Sequence, residues 1–211
     1  MTLANSGLLP RTWRRNRPAA VVLATAAAAQ LLTSCALATD SHHAVSDSPP
    51  AGATSLQAPP GAQGPFEVKY VSDGDTIGVD IAGKTTTVRL IGIDTPEVKD
   101  PRKPVQCFGQ QASQHAHELL DDATVWLEYD PASGQTDRYG RTLAYVWLDQ
   151  TTLANQVMVA EGFAHEYTYN HTAYKYQSAF KAAQQTAAQA QKGLWDLSTC
   201  NGVTTPLAPA H

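Results

Sequence analysis

Apolar and polar positions begin to alternate at Phe66. Phe66, Val68 and Tyr70 share one face of a period-two pattern, which predicts a strand over 66–72. Asp73-Gly74 supplies a turn, and a second alternating run predicts a strand over 76–81. Ala82-Gly83-Lys84 turns the chain again into a third strand over 85–91. Three short strands joined by tight turns predict an antiparallel meander. A loop holding Pro, Lys and Arg follows over 94–108, and the period then changes: 110–120 reads as a helix. Strands are predicted over 124–129 and over 141–148, where Leu143, Tyr145 and Trp147 alternate, with a polar loop over 130–140 between them. Thr151 is placed to cap a helix running to Glu161, with Gly162 at its C-terminal end. Ala173, Tyr176, Phe180, Ala183, Ala187, Ala190 and Leu194 step by three and four, one face of a last helix over 172–193.

The order β-β-β-α-β-β-α-α predicts an α+β, mainly β fold: a five-stranded OB-type Greek-key barrel with three helices. Such barrels often bind oligonucleotides, but a fold alone assigns no chemistry. Trp126, Trp147 and Trp195 read as core or barrel-lid residues. The folded region is placed at 66–200, with 201–211 a flexible tail.

Composition changes the picture before Phe66. Residues 1–65 hold no Glu, no Lys and two Asp, Asp40 and Asp47. Arg11, Arg14, Arg15 and Arg17 precede an apolar run over 19–32, a length that suits a signal peptide and falls short of a membrane span. Leu32-Thr33-Ser34-Cys35 resembles a bacterial lipobox, so 1–35 reads as a lipoprotein signal peptide with Cys35 lipidated. That places the protein on the outer face of the cell membrane through its lipid anchor. Ala36-Leu37-Ala38 offers a competing cleavage site that releases a secreted soluble protein. On either route 36–65, with its paired prolines, reads as a disordered tether.

Past Cys35, eleven basic and nineteen acidic residues leave a net charge of −8. That excludes a globally basic nucleic-acid coat, so any polyanion bound here must meet a local patch. The two remaining cysteines, Cys107 and Cys200, suggest a disulfide in an oxidising compartment, with two unpaired thiols as the alternative.

Candidate chemistry gathers in Asp73-Gly74-Asp75-Thr76, Arg89, Asp94-Thr95-Pro96-Glu97 and Asp137-Arg138-Tyr139-Gly140-Arg141. Each alone has a plain reading as a turn, a structural ion pair, a helix start or a solvated hairpin. Together they supply two Asp for a hard divalent cation, one Glu for a base and two Arg for a phosphodiester. His115 and His117, two apart on a helix, point in different directions. His165 and His171 read as surface histidines.

With DGDT at 73–76, Arg89, IDTPE at 93–97, TDRYGRTLAY at 136–145 and Tyr-x-Tyr at 167–169 in order, the chain resembles the staphylococcal nuclease (thermonuclease) family over roughly 66–196. The resemblance implies a monomeric, Ca²⁺-dependent phosphodiesterase that hydrolyses DNA and RNA with low sequence specificity, preferring single strands or breathing duplex. Its products carry 3′-phosphate and 5′-hydroxyl ends. Matched position by position, it implies that Asp75, Asp94 and the Thr95 carbonyl hold Ca²⁺ and that Glu97 is the base. It gives Arg89 and Arg141 the attacked phosphate, Arg138 and Tyr139 a neighbouring phosphate, and Tyr167 and Tyr169 the nucleotide pocket. Arg102 and Lys103 are expected to add charge to a positive mouth. The rival reading is a non-catalytic OB-fold module that binds extracellular single-stranded nucleic acid.

Overall fold

The computed structural model describes residues 56–101 and 104–205. The expected signal peptide, Cys35, most of the expected tether, Arg102, Lys103 and the last six residues lie outside the described residues. Five strands close a barrel in the order β1 (Gln63–Asp73), β2 (Thr76–Ile81), β3 (Lys84–Leu90), β6 (Thr142–Trp147), β5 (Thr124–Glu128), and β5 pairs back onto β1. All neighbours are antiparallel except β3 and β6, which run parallel. Between them lie β4 (Ile93–Asp94) and α1 (Gly109–Leu120), and after β6 come α2 (Ala154–Ala160), β7 (His165–Glu166) and α3 (Gln177–Gln189). This is the expected five-stranded barrel with three helices.

Alternation builds the barrel interior. Ile77, Val79, Val88, Leu90, Val125, Leu127, Tyr145 and Trp147 are all essentially buried, and Leu120, Met158 and Phe180 bring the three helices onto them. Burying each such side chain contributes roughly 1.5–3 kcal/mol. β1 begins earlier than predicted, and Leu56 and Ala58, placed in the tether by sequence, pack against the core.

Two helix starts differ from expectation, for identifiable reasons. Thr151 does not cap α2. Asp149 Oδ1 accepts from the Thr151 and Thr152 amides and from the Thr151 hydroxyl, which fixes a turn and delays the helix to Ala154. The last helix does not begin at 172. Asn170 and His171 have positive φ (47° and 58°), and the Lys175 amide donates to Asp130 Oδ2 at 2.8 Å, so α3 starts at Gln177. Ala173, expected on the buried face, is exposed, while Tyr174 is buried. The helix also ends early, at Gln189, before a separate single turn over Gly193–Trp195.

Two buried carboxylates hold the segment before α3 to the barrel. Glu128 accepts from Trp147 Nε1 (2.9 Å), Tyr176 Oη (2.8 Å) and Lys175 Nζ (2.5 Å), and Asp130 accepts from Tyr145 Oη (2.8 Å). Burial first, then the Asp130 carboxylate, pushes the Tyr145 hydroxyl well above its ordinary pKa.

Candidate active site

The site forms where β1 hands over to β2 and β3 to β4. A register shift between Val71 and Asp73 bends β1 just before the Asp-Gly-Asp turn, as bulges do where a side chain must be re-aimed. Gly74 lets that turn approach Thr95, because a Cβ there would sit 2.6 Å from the Thr95 methyl. Asp75 is consequently buried, and its Oδ2 accepts from the Thr95 amide and the Thr95 hydroxyl, both at 3.1 Å.

Arg89, with a side chain 13% exposed, spans this corner. Its NH1 donates to the carbonyls of Leu90 and Ile93, both at 2.8 Å. Its NH2 lies 3.0 Å from Asp75 Oδ2 and 3.2 Å from Asp94 Oδ1. The planar fork thus meets two main-chain acceptors on one side and two carboxylates on the other. Burial, then the charge of Asp75, pushes the Asp73 carboxyl up to about 6. Asp75 is buried and Asp73 partly buried here, while Asp94, with a side chain 57% exposed, meets the same guanidinium from the solvent side.

Arg141 joins the corner from β6's leading edge. Its Nε donates to Asp137 Oδ2 at 2.6 Å and its NH1 to Thr76 Oγ1 at 3.3 Å, while the Thr76 hydroxyl donates to Asp75 Oδ1 at 2.9 Å. Asp137 also accepts from the amides of Tyr139 and Arg141, and these bonds outweigh its partial burial and lower its pKa. The hairpin 137–141 is therefore folded around one carboxylate. Arg138 stacks over the Tyr139 ring at 4.8 Å and donates to its hydroxyl at 2.7 Å.

The tyrosine row reaches the site through β7. Asp94 pairs with His165 and Ile93 with Glu166, so this two-residue ribbon clips the tyrosine segment to the acidic corner. His165 is not the plain surface histidine expected. It is half-buried against Trp195, with ring centroids 4.9 Å apart, and burial lowers its pKa. Beyond it the side chains alternate. Glu166 and Thr168 bond inward, and Tyr167 and Tyr169 stand out at 44% and 57% exposure, with centroids 6.4 Å apart. Both tyrosines lie within electrostatic reach of Arg138. Gly92, at φ 78°, accepts from the Tyr167 amide at 2.9 Å, and a Cβ on it would strike the Tyr174 ring.

Glu97 stands at the edge of this set. Its Oε1 accepts from the amides of Lys99 (2.6 Å) and Asp100 (3.1 Å). The structure thus brings together Asp75, Asp94, Thr95, Arg89 and Arg141. It sets Arg138, Tyr139, Tyr167 and Tyr169 on adjoining loops and fastens the Glu97 carboxylate to its own segment.

Several residues around the site escaped the sequence reading. Asn155, fully buried, donates to the Ile91 carbonyl and accepts from the Val146 amide, tying α2 to the strand end beside Arg89. Gln106 and Glu166 act locally on Glu97 and the tyrosines. Asn155 and Gln106 have partners far away in sequence or across an irregular loop, and Glu166 joins Thr168 to Tyr174 across another, so no spacing rule flags them.

Among the described residues, no three His, Cys, Asp or Glu side chains converge as a metal cluster. The donors at the corner are the Asp75 and Asp94 carboxylates and, on the residue that follows Asp94, the Thr95 carbonyl. Two carboxylates and a carbonyl are hard oxygen donors of the kind that fit a hard divalent cation, whose remaining positions water and substrate fill.

Barrel, acidic corner and tyrosine row together define an OB-type barrel with an oxygen-rich site on its rim. The profile of the family described as staphylococcal nuclease homologue matches residues 87–197. A thermonuclease of Staphylococcus hyicus is 44% identical over 130 residues, covering 62% of this chain and 75% of that protein. A thermonuclease of Staphylococcus intermedius is 43% identical over 131 residues, covering 62% and 76%. The endonuclease YncB of Bacillus subtilis is 38% identical over 127 residues, covering 60% and 59%. The chain belongs to the staphylococcal nuclease family.

Proposed function

We propose that this protein is an exported, Ca²⁺-dependent nuclease that hydrolyses phosphodiester bonds of DNA and RNA and leaves 3′-phosphate ends. The observation that carries the reading is the joined pair of arginines: Arg89 meets Asp75 directly, and Arg141 reaches the same carboxylate through Thr76. Two guanidiniums and a set of hard oxygen donors in one corner suit a phosphodiester and a hard cation. Family membership and the nuclease relatives support the same activity.

Asp75, Asp94 and the Thr95 carbonyl would hold Ca²⁺, which when bound supplies charge neutralisation and polarisation at the phosphate. The chain's own residues do the rest. Glu97 orients a water and takes its proton as the oxygen attacks phosphorus. Oε1 is engaged by two amides, so Oε2 faces this task unless one of those bonds opens. Arg89 and Arg141 donate to the phosphate oxygens that gain charge in the transition state. The 5′-oxygen leaves with the proton returned to it, and the 3′ end keeps the phosphate. Tyr167 and Tyr169 offer faces for base stacking, worth roughly 1–3 kcal/mol per base and indifferent to sequence. Arg138 and Tyr139 meet the next phosphate. Export follows the reading of residues 1–38: lipidation of Cys35 anchors the protein, and the alternative, cleavage after Ala38 instead, releases a soluble one.

The test is digestion of heat-denatured DNA by the purified full chain with Ca²⁺, with a chelator, and with Glu97→Gln. Cleavage that needs both Ca²⁺ and Glu97, giving 3′-phosphate ends, is expected. Near-normal turnover in the Gln variant would remove the base role. Retention of single-stranded DNA without cleavage would favour the binding-module reading. Mass spectrometry of the membrane fraction tests export, through a diacylglyceryl group on Cys35 or an N-terminus at Thr39.

A further inference from the structure

Cys107 and Cys200 form a disulfide, with Cα atoms 5.9 Å apart across a separation of 93 residues. Its place in the fold matters more than its existence. The residue before Cys107, Gln106, makes a reciprocal pair with Glu97. The Glu97 amide donates to Gln106 Oε1 at 2.7 Å, and the Gln106 amide donates to the Glu97 carbonyl at 2.9 Å. The Gln106 carbonyl in turn accepts from the Gly109 amide at the start of α1. Since the Glu97 carboxylate is oriented by the amides of Lys99 and Asp100, its aim depends on how the backbone at Glu97 is held, and Gln106 is what holds it.

The far end of the disulfide is well anchored. Cys200 is buried, and the turn around it is tied down by bonds from the amides of Asn201 to Asp196, Gly202 to Leu194 and Val203 to Cys200. Leu194 is itself buried and bonds the Gly162 carbonyl at 2.8 Å. Gly202 lies flat on the Trp195 ring, where a Cβ would stand 2.7 Å from the indole. The bridge therefore fastens the Glu97–Gln106 pair to a rigid part of the domain.

We propose that Gln106 is a positioning residue for Glu97 and that the Cys107–Cys200 disulfide is the brace behind it, so that the cleavage rate depends on the oxidation state of this cysteine pair. The inference rests on the phosphodiesterase reading above. Oxidation removes two electrons and two protons from the two thiols and delivers them to a protein or small-molecule disulfide, which leaves as a dithiol. Reduction runs the other way: a dithiol thiolate attacks the sulfur of Cys107, which is less buried than Cys200, and the Cys200 thiolate leaves and is protonated; the second thiol of the reductant then attacks the mixed disulfide, releases the Cys107 thiolate to be protonated, and closes to its own disulfide. The corner of Asp75, Asp94 and Arg89 makes its bonds without this segment, so nucleotide binding is retained when the brace opens. The loss falls on the placement of the base, where an error of about 1 Å costs on the order of a hundredfold in rate. A chain that crosses a membrane with free thiols thus reaches full activity only in an oxidising compartment.

The experiment compares the oxidised full chain with the same protein reduced by dithiothreitol, cleaving heat-denatured DNA with Ca²⁺ present. The Cys107→Ser/Cys200→Ser double variant runs alongside, at a temperature where near-UV circular dichroism shows every form folded. A fall in kcat of on the order of ten- to a hundredfold is expected on reduction, with KM within about twofold. The double variant should start at the reduced level and ignore the reductant. Hydrogen exchange at the Glu97, Lys99 and Asp100 amides should quicken in both. With the disulfide intact, Gln106→Leu should lose kcat and Gln106→Glu, which keeps the acceptor, should recover most of it. These Gln106 variants decide the matter if the double variant fails to fold. Unchanged kcat and unchanged exchange on reduction would overturn the proposal. If the oxidised protein cleaves nothing, the phosphodiesterase reading fails, and exchange at the three amides alone decides whether the brace holds Glu97.

Discussion

Arg89→Lys isolates what the planar fork contributes, because it keeps the charge and removes the geometry. The guanidinium makes four contacts: two carbonyls at 2.8 Å through NH1 and two carboxylates at 3.0 and 3.2 Å through NH2. A lysine ammonium reaches one of these groups well and leaves at least one buried carbonyl short of a donor, which costs about 1–3 kcal/mol. Stability should therefore fall by roughly 2 kcal/mol, read as a lower urea midpoint at unchanged m. The kinetic effect should be larger than tenfold. Losing one fixed donor to a developing phosphate charge costs about 2.7–4 kcal/mol, or a hundred- to a thousandfold in kcat. Steady-state cleavage of denatured DNA at saturating Ca²⁺, well below the unfolding transition, separates the two. A Lys variant whose kcat stays within tenfold of wild type would refute the reasoning, since charge without the fork would then suffice.

Two further substitutions probe the supports of the site. Glu166 Oε1 accepts from Thr168 Oγ1 and Tyr174 Oη, so Glu166→Ala should loosen the tyrosine segment, raising KM about tenfold while kcat stays near wild type; an equal fall in kcat with KM unmoved would reject that role. Glu128→Leu leaves the Trp147 N–H and the Tyr176 hydroxyl buried without their acceptor, and chemical denaturation should record a loss of about 3–5 kcal/mol; a loss under about 1 kcal/mol would mean that the buried acid is dispensable.

The barrel strands were readable because they are short β-branched and aromatic runs, the first three of them ending at Gly-containing turns, and only their ends moved by a few residues. The parallel contact of β3 with β6 was not, since it is made across the helix and loop that separate them. Helix starts failed where a side chain captured the backbone first: Asp149 took the Thr151 and Thr152 amides and the Thr151 hydroxyl, and Asp130 took the Lys175 amide. Those acids look like ordinary surface charges in the sequence. The acidic corner was legible as residue types in a known order, because Asp-Gly-Asp and Asp-Thr-Pro-Glu are local. The contacts that aim those residues were not. Gln106 reaches across an irregular loop to Glu97, and Asn155 reaches from a helix to Ile91 and Val146. Amides carry no charge pattern and no periodicity, so their roles appear only once the chain is folded.

The site also explains how a chain with net charge −8 past Cys35 can address a polyanion. The candidate set holds five acids, Asp73, Asp75, Asp94, Glu97 and Asp137, against three arginines, Arg89, Arg138 and Arg141, so with every group ionised its balance is two negative charges. Arg89 and Arg141 already hold carboxylates at 2.6–3.2 Å. A phosphate approaching this corner alone meets cations that are engaged and acids that repel it. Asp73, with its carboxyl pushed up to about 6 by burial first and then by the charge of Asp75, carries part of the same load. One divalent cation cancels the excess and gives the carboxylates another partner, and the guanidinium edges then face substrate at little electrostatic cost. In the proposed nuclease, the requirement for Ca²⁺ therefore begins at binding and does not wait for chemistry. The rest of the acidic surface limits how much further attraction the polymer finds once its first phosphates are in place.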